Sequence, residues 1–182
     1  VGTLNVNLTD YIKQAPLAET KVYLYQRNAD GSSKHIANAL TDANGLIRFS
    51  PLGIETGQAY FLKTKPYGTG YAESIDLSAA GDFAFTVGTL QVKVQNYIDK
   101  SALADLKVSL YERLADGSNK WRAKGNTDAE GLIRFTPFGM SAERRYYVTT
   151  RPYNAGNVNS ADIIEAQNLV LALGSSPVTL IN

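Results

Sequence analysis

The sequence of 182 residues contains no cysteine, and this absence removes several kinds of site at once. Disulfide bonds, cysteine-ligated zinc and cysteine nucleophiles all require the missing thiol. The only histidine, His35, is too little to build a histidine metal site or a Ser-His-Asp triad. We therefore expect no catalytic residue, no bound metal and no cofactor, and we predict that the protein is not an enzyme.

The sequence also lacks an excess of charge of one sign, because 18 Lys and Arg stand against 17 Asp and Glu. Proteins that bind nucleic acid usually carry a basic excess or a basic stripe. No apolar run approaches the roughly 20 residues that span a bilayer. We predict neither a nucleic-acid partner nor membrane insertion. Because the chain begins at Val1 rather than Met, we expect a piece of a longer protein.

The main positive feature is an internal repeat in which residues 86 apart are identical or similar. The segment Thr41–Phe49 returns almost unchanged as Thr127–Phe135. Self-similarity at one fixed spacing is the signature of duplicated units. We predict one domain over residues 1–87 and a second over residues 88–173. Residues 174–182 fit either a closing strand of the second domain or the first strand of a third repeat.

The local pattern within each copy is that of short β-strands. Leu4, Val6 and Leu8 alternate with polar residues, as expected when successive side chains point to opposite faces. Asp30-Gly31 is a hairpin signal, since Gly accepts a positive φ. Turn signals near every 10 residues predict about seven strands per copy and an all-β, antiparallel sandwich. The one weak helical candidate spans residues 162–169.

Three motifs in each copy carry a resemblance to a known group of domains. In the first copy they are Ala18-x-x-Lys21-Val22-x-Leu24-Tyr25, Thr41-Asp42-x-x-Gly45-x-Ile47-x-Phe49-x-x-Leu52-Gly53 and Tyr60-x-Leu62. The pattern resembles the transthyretin-like group, including carboxypeptidase regulatory-like domains and the B-type repeats of collagen adhesins. The resemblance implies two tandem Ig-like or transthyretin-like Greek-key β-sandwiches. It also implies a stalk, spacer or adhesive module of a bacterial extracellular or cell-surface protein.

The adhesin repeats often carry a Lys–Asn isopeptide crosslink assisted by a buried acid. Here only the second copy has a first-strand lysine, Lys93, and an asparagine near its last strand, Asn168. Lys63 and Thr149 stand where the assisting acid is commonly found. Because the set is incomplete, we expect no crosslink.

The recurring acids are better explained by structure than by chemistry. Asp42 precedes Ala-x-Gly, where a short acid bonds its own backbone in a turn, and it recurs as Asp128. Asp76 recurs as Asp162, and recurrence in both copies is what a structural role predicts. Neither loop has the spacing of an EF-hand. A calcium ion between loops remains an open alternative.

Aromatic residues that differ between the copies are the candidate ligand-binding residues. Trp121 replaces His35, and Tyr71 has Asn157 in its place in the second copy. Tyr147 follows a cationic stretch that only the second copy has. Tyr and Trp combine an apolar ring with a polar group and favour interfaces. We therefore predict that Trp121, Tyr147 and Tyr71 are the residues that would contact a ligand.

Two functions follow from these observations. The first is the non-catalytic stalk, spacer or adhesive segment, whose partners would be neighbouring repeats and a polysaccharide or a host matrix protein. The alternative is a carbohydrate-binding accessory module of a secreted polysaccharide-degrading enzyme. An exposed aromatic platform around Trp121 would favour the alternative.

Overall fold

The computed structural model describes residues 2–152 and 156–174. The chain divides into two compact units, Val1–Thr89 and Leu90–Asn182. Within the described residues, no helix has the length and apolar character needed to cross a membrane. The choice that the sequence left open for residues 174–182 falls almost wholly outside the described part of the chain.

The first unit consists of eight strands and one short 3₁₀ turn, Ile54–Thr56. The strands are β1 Leu4–Asp10, β2 Ala15–Pro16, β3 Lys21–Arg27, β4 Ser33–Leu40, β5 Leu46–Phe49, β6 Tyr60–Thr64, β7 Ala72–Glu73 and β8 Gly81–Val87.

The second unit contains seven strands in its described residues. They are β9 Leu90–Asn96, β10 Lys107–Arg113, β11 Asn119–Asn126, β12 Leu132–Phe135, β13 Arg145–Thr150, β14 Val158–Asn159 and β15 Gln167–Leu173. The prediction of an all-β protein is confirmed. The weak helical candidate over residues 162–169 is wrong, because its last three residues belong to β15, where buried Leu171 and Leu173 alternate with exposed residues.

Each unit is made of two small sheets. In the first unit, β1 lies between β5 and β8 and also pairs with β2, while the other sheet has the order β4-β3-β6-β7. In the second unit the orders are β12-β9-β15 and β11-β10-β13-β14.

The expectation of a wholly antiparallel arrangement is corrected by the first and last strands of each unit. β1 pairs with β8 in parallel over seven residues, from Leu4↔Gly81 to Asp10↔Val87. β9 pairs with β15 in the same way. The two strands of each pair lie almost a whole unit apart in sequence, so local turn signals carry no information about their pairing.

Each unit has one buried cluster, which contains side chains from both of its sheets. In the first unit the cluster includes Leu4 and Val6 from one sheet and Val22 and Leu24 from the other, all at most 1% exposed. The second unit has an equivalent cluster, with Phe135 fully buried. These are the alternating apolar residues of the sequence pattern. Alternation leaves the opposite face of each sheet to the solvent, and there the two units differ.

Candidate functional site

Three aromatic side chains lie in a row across the outer face of the second unit's four-stranded sheet. Tyr111 on β10 pairs with Trp121 on β11 and with Tyr147 on β13. The Tyr111 and Tyr147 rings stack with their centroids 5.5 Å apart and their planes at 15°. None of the three belongs to the core cluster of this unit. The structure therefore brings two of the predicted residues, Trp121 and Tyr147, to the two sides of Tyr111.

The exposure of these rings separates their roles. Trp121 is 51% exposed and can meet a ligand directly, whereas Tyr147 is 8% exposed. Tyr147 has Tyr111 on its ring, and the Arg113 guanidinium lies 5.0 Å from its ring centroid. Tyr147 thus supports the row rather than offering a free ring face.

Tyr71, the third predicted residue, lies in the first unit and not beside the other two. It is 59% exposed, and its ring contacts Tyr23 edge-on at 6.2 Å. The outer face there has its own aromatic row, in which Tyr25 contacts His35 and stacks on Phe61.

Cationic side chains cover much of the first unit's row. The ammonium of Lys63 lies 5.2 Å from the Tyr25 ring and 5.3 Å from the Phe61 ring. The Arg27 guanidinium lies 4.1 Å from the Phe61 ring. Lys63 is also 3.6 Å from Glu73, so this face is an internally paired set of charges and rings.

The same face of the second unit contains an open groove of about 340 Å³. Its lining residues come from β10, β13 and the segment before β14: Lys107, Ser109, Tyr111, Thr149, Thr150, Arg151 and Asn157. Ser109, Thr149 and Asn157 occupy the positions of Tyr23, Lys63 and Tyr71 in the first unit. Two aromatic residues and a lysine are thus replaced by three small polar residues.

One hydroxyl among the lining residues is unpaired in the part of the chain that the structure describes. Thr149 Oγ1 is buried and makes no hydrogen bond with any described residue. Leaving a buried hydroxyl unpaired costs about 1–3 kcal/mol, and Thr89 Oγ1 is the other such atom among the described residues. Ser109 lies directly opposite Thr149 across the two strands.

A groove of about 410 Å³ in the first unit has a different character. There Asn5 Nδ2 donates to Asp82 Oδ1 at 2.7 Å, and Arg48 Nε donates to Asn5 Oδ1 at 2.9 Å. Its polar groups are partners of one another, which makes it a weaker candidate for binding.

A buried acid that the sequence analysis missed lies at the end of the second unit's core. The Glu112 side chain is 6% exposed and accepts hydrogen bonds from Arg122 and from Arg144, whose Nε lies 2.7 Å from Glu112 Oε1. Burial alone raises the pKa of Glu112. The hydrogen bonds and charges of the two arginines outweigh burial and hold that pKa below its usual value.

A second missed acid is Asp10 in the first unit, which is 2% exposed. Its Oδ1 accepts the backbone N–H groups of Ile12 and Lys13, and its Oδ2 accepts the Tyr67 hydroxyl at 2.7 Å. These bonds fix the turn after β1, so Asp10 is a structural acid. The sequence at the end of one strand does not show that an acid there is buried, because its partner Tyr67 is 57 residues away.

The recurring acids make hydrogen bonds that stabilise a turn or a surface ion pair, as a structural role predicts. Asp42 Oδ1 accepts the N–H groups of Asn44 and Leu46 at 2.8 and 2.9 Å. Asp76 accepts from Arg27 at 2.9 Å on the surface. Across the residues described, no group of three or more His, Cys, Asp or Glu is placed to hold a metal ion.

The residues considered for an isopeptide bond lie on an outer face. Asn168 pairs with Gln91, while Lys93 pairs with the next outward residue of β15, Val170. Lys93 and Asn168 are both exposed, so no buried acid lies between them.

Comparison with known proteins adds no family. No protein-family model and no curated protein matches the sequence. Among solved structures, the shaft pilin SpaA from Lactobacillus rhamnosus GG is 12% identical, with 97% of this chain and 99% of that chain covered and a TM-score of 0.34. A Streptococcal ancillary pilin is 13% identical over 97% of this chain and 62% of that chain, with a TM-score of 0.37. The Bacillus anthracis TIE protein is 16% identical over 95% and 33%, with a TM-score of 0.33. TM-scores below 0.5 carry no argument about function.

Proposed function

We propose that the chain is a non-catalytic, load-carrying module of a bacterial extracellular or cell-surface protein, built from two tandem Ig-like or transthyretin-like Greek-key sandwiches. It would serve as a stalk, spacer or adhesive segment. The observation that carries this proposal is the parallel pairing of the first and last strands in each unit.

Parallel terminal strands suit a tether because of how they meet tension. The chain enters β1 at Leu4, opposite Gly81, and leaves β8 at Val87, opposite Asp10. Tension along the chain therefore pulls the two strands in opposite directions along their own axes. All hydrogen bonds of the seven-residue ladder then share the load, whereas a hairpin pulled at its open end loses them one after another.

Force spectroscopy tests this role. Stretching the chain by its ends is expected to give two abrupt unfolding events, each lengthening the chain by up to about 300 Å. For comparison, the first unit would be pulled through cysteines introduced by Lys21→Cys and Leu40→Cys, which lie opposite each other at the open end of the β3–β4 hairpin. Because the chain has no native cysteine, these attachment points are unambiguous. Pulling there should unfold the unit at a clearly lower force, and equal forces would contradict the proposal.

Saccharide binding is a second candidate function, favoured by the half-exposed Trp121 beside Tyr111. Aromatic rings on a sheet face offer flat apolar surface with polar edges, as a sugar ring requires. Here Trp121→Ala should abolish binding to polysaccharide, while His35→Ala at the equivalent position of the first unit should leave it unchanged. The affinity of each variant for the polysaccharide is measured by calorimetry, and only Trp121→Ala should lower it.

A further inference from the structure

We propose that the groove on the second unit is a binding site for an acidic saccharide, such as a uronic-acid oligosaccharide. This inference rests on the second candidate function and is independent of the mechanical role. The site is formed by Ser109, Tyr111 and Thr149, with Lys107 and Arg151 at one end.

The groove has room for sugar rings and the groups to bond them. Its volume of about 340 Å³ is at the lower end of the range for small-molecule sites. Ser109, Thr149 and Asn157 line it, and the Ser109 hydroxyl and the Asn157 amide are the polar side-chain groups that it offers, since the Thr149 hydroxyl oxygen is buried. Hydroxyl and amide groups both donate and accept, as a polyhydroxylated ligand requires.

The charge of the groove selects for an anion. Lys107 and Arg151 line it, and none of its described lining residues is acidic. Lys124 on β11 is the strand partner of Ser109 and adds a third cation to this face. A carboxylate on the ligand would meet these cations in charge-assisted hydrogen bonds.

In the first unit, side chains of the protein itself cover the equivalent face. Tyr23 and Tyr71 contact each other there, and the ammonium of Lys21 lies 5.4 Å from the Tyr23 ring. Glu73 supplies an acid next to Lys63. In the second unit the positions of Tyr23 and Glu73 hold Ser109 and Asn159, so Lys107 lacks the equivalent ring and the acid is gone. The Lys21–Tyr23 and Lys63–Glu73 contacts of the first unit therefore have no equivalent at these positions of the second unit, where the groove lining keeps the cations Lys107 and Arg151.

An acidic peptide is the competing anion, and the lining favours the saccharide. A bound peptide is usually anchored by a side chain in an apolar pocket or by strand addition at a sheet edge. Among the lining residues that the structure describes, Tyr111 is the one large ring, and the others present hydroxyl, amide or cationic groups. A shallow polar groove beside one ring suits a sugar better.

The test titrates the complete chain with tetragalacturonate, its fully methyl-esterified neutral counterpart and a hexaglutamate peptide. Tetragalacturonate should shift the amide resonances of Ser109, Tyr111 and Thr149, and the ester should bind at least about tenfold more weakly. Lys107→Gln should weaken tetragalacturonate binding by a similar factor, while the matched Lys21→Gln in the first unit should not. Exposed lysines are chosen so that neither change threatens folding.

A second experiment fills the groove with larger side chains. Ser109→Tyr combined with Asn157→Tyr restores the two aromatic residues of the first unit and should abolish binding while leaving the thermal unfolding temperature nearly unchanged. If only the neutral ester bound, and Trp121→Ala abolished that binding while the double tyrosine variant did not, saccharide binding would be supported. The assignment of the site to the groove would then be wrong. Binding of hexaglutamate in place of the saccharide, or shifts confined to the first unit, would overturn the inference. So would the absence of all binding, which would also remove the second function.

Discussion

Replacing Glu112 by Gln is expected to destabilise the second unit by about 2 kcal/mol. The substitution keeps the size of a buried side chain but removes the negative charge that Arg122 and Arg144 share. Removing one partner of a fully buried ion pair typically costs about 3–5 kcal/mol. The expected value here is lower because the two arginine side chains are 32% and 35% exposed and water screens their repulsion.

The first unit supplies the matched control for this prediction. Its residues at the three equivalent positions are Gln26, Ile36 and Gln58, a neutral set. Introducing all three together, as Glu112→Gln, Arg122→Ile and Arg144→Gln, should return the stability of the second unit to near its original value. The triple variant has no buried charge to desolvate and no arginine left without its carboxylate.

The measurement is made simple by the single tryptophan. Trp121 lies on β11 in the second unit, so its fluorescence in a urea titration reports the unfolding of that unit alone. If the single Glu112→Gln variant unfolded at the original urea concentration, or if the triple variant were no better than the single one, the arginine–carboxylate cluster would not stabilise this unit.

Acid should remove the same stabilisation. The pKa of Glu112 is lower in the folded protein than its usual value of about 4.3, so its contribution is complete above that pH and disappears as the pH falls through the folded pKa. The difference in unfolding free energy between the original protein and Glu112→Gln should therefore shrink on going from pH 7 to pH 3. A difference that does not change with pH would show that the loss is one of packing.

The sequence pattern predicted what depends on neighbours along the chain. Alternating residues such as Val22 and Leu24 are buried as expected, and the Thr-Asp-Ala-x-Gly turns close through Asp42 and its repeat. Pairing of β1 with β8 depends on residues 77 apart in sequence, and no local signal encodes it. The parallel ladder was therefore missed.

The candidate site was predicted only in part for the same reason. Trp121 and Tyr71 were singled out as ligand-binding candidates because they differ between the copies, and that role stays a prediction; the row that Trp121 forms with Tyr111 and Tyr147 follows from the strand pairing. The Glu112 cluster carried an unused signal, since three positions change together from neutral to charged between the copies. Looking for positions that change together between the copies, rather than for identical positions, would have identified the Glu112 cluster.

Replacing Gly131 by Ala is expected to destabilise the second unit by at least about 3 kcal/mol. Gly131 ends the turn before β12 with φ at +72°, a conformation that costs a residue with a Cβ about 1–2 kcal/mol. The added Cβ would also overlap the Val94 carbonyl oxygen and lie 3.2 Å from the Leu103 nitrogen. Both obstacles are backbone atoms, which cannot rotate away.

Gly117→Ala separates these two causes. Gly117 has a similar φ of +81° in the β10–β11 hairpin, but a Cβ there would meet no atom within 4 Å. This variant should lose only about 1–2 kcal/mol, the conformational part of the cost. Urea titrations followed by Trp121 fluorescence should therefore rank Gly131→Ala well below Gly117→Ala. Equal losses would mean that the backbone around Val94 yields to the new methyl group, and that the turn is not held tightly against β9. A large gap would mean that the glycine recurs, as Gly45 does in the first unit, because the turn packs against the first strand with no space for a side chain.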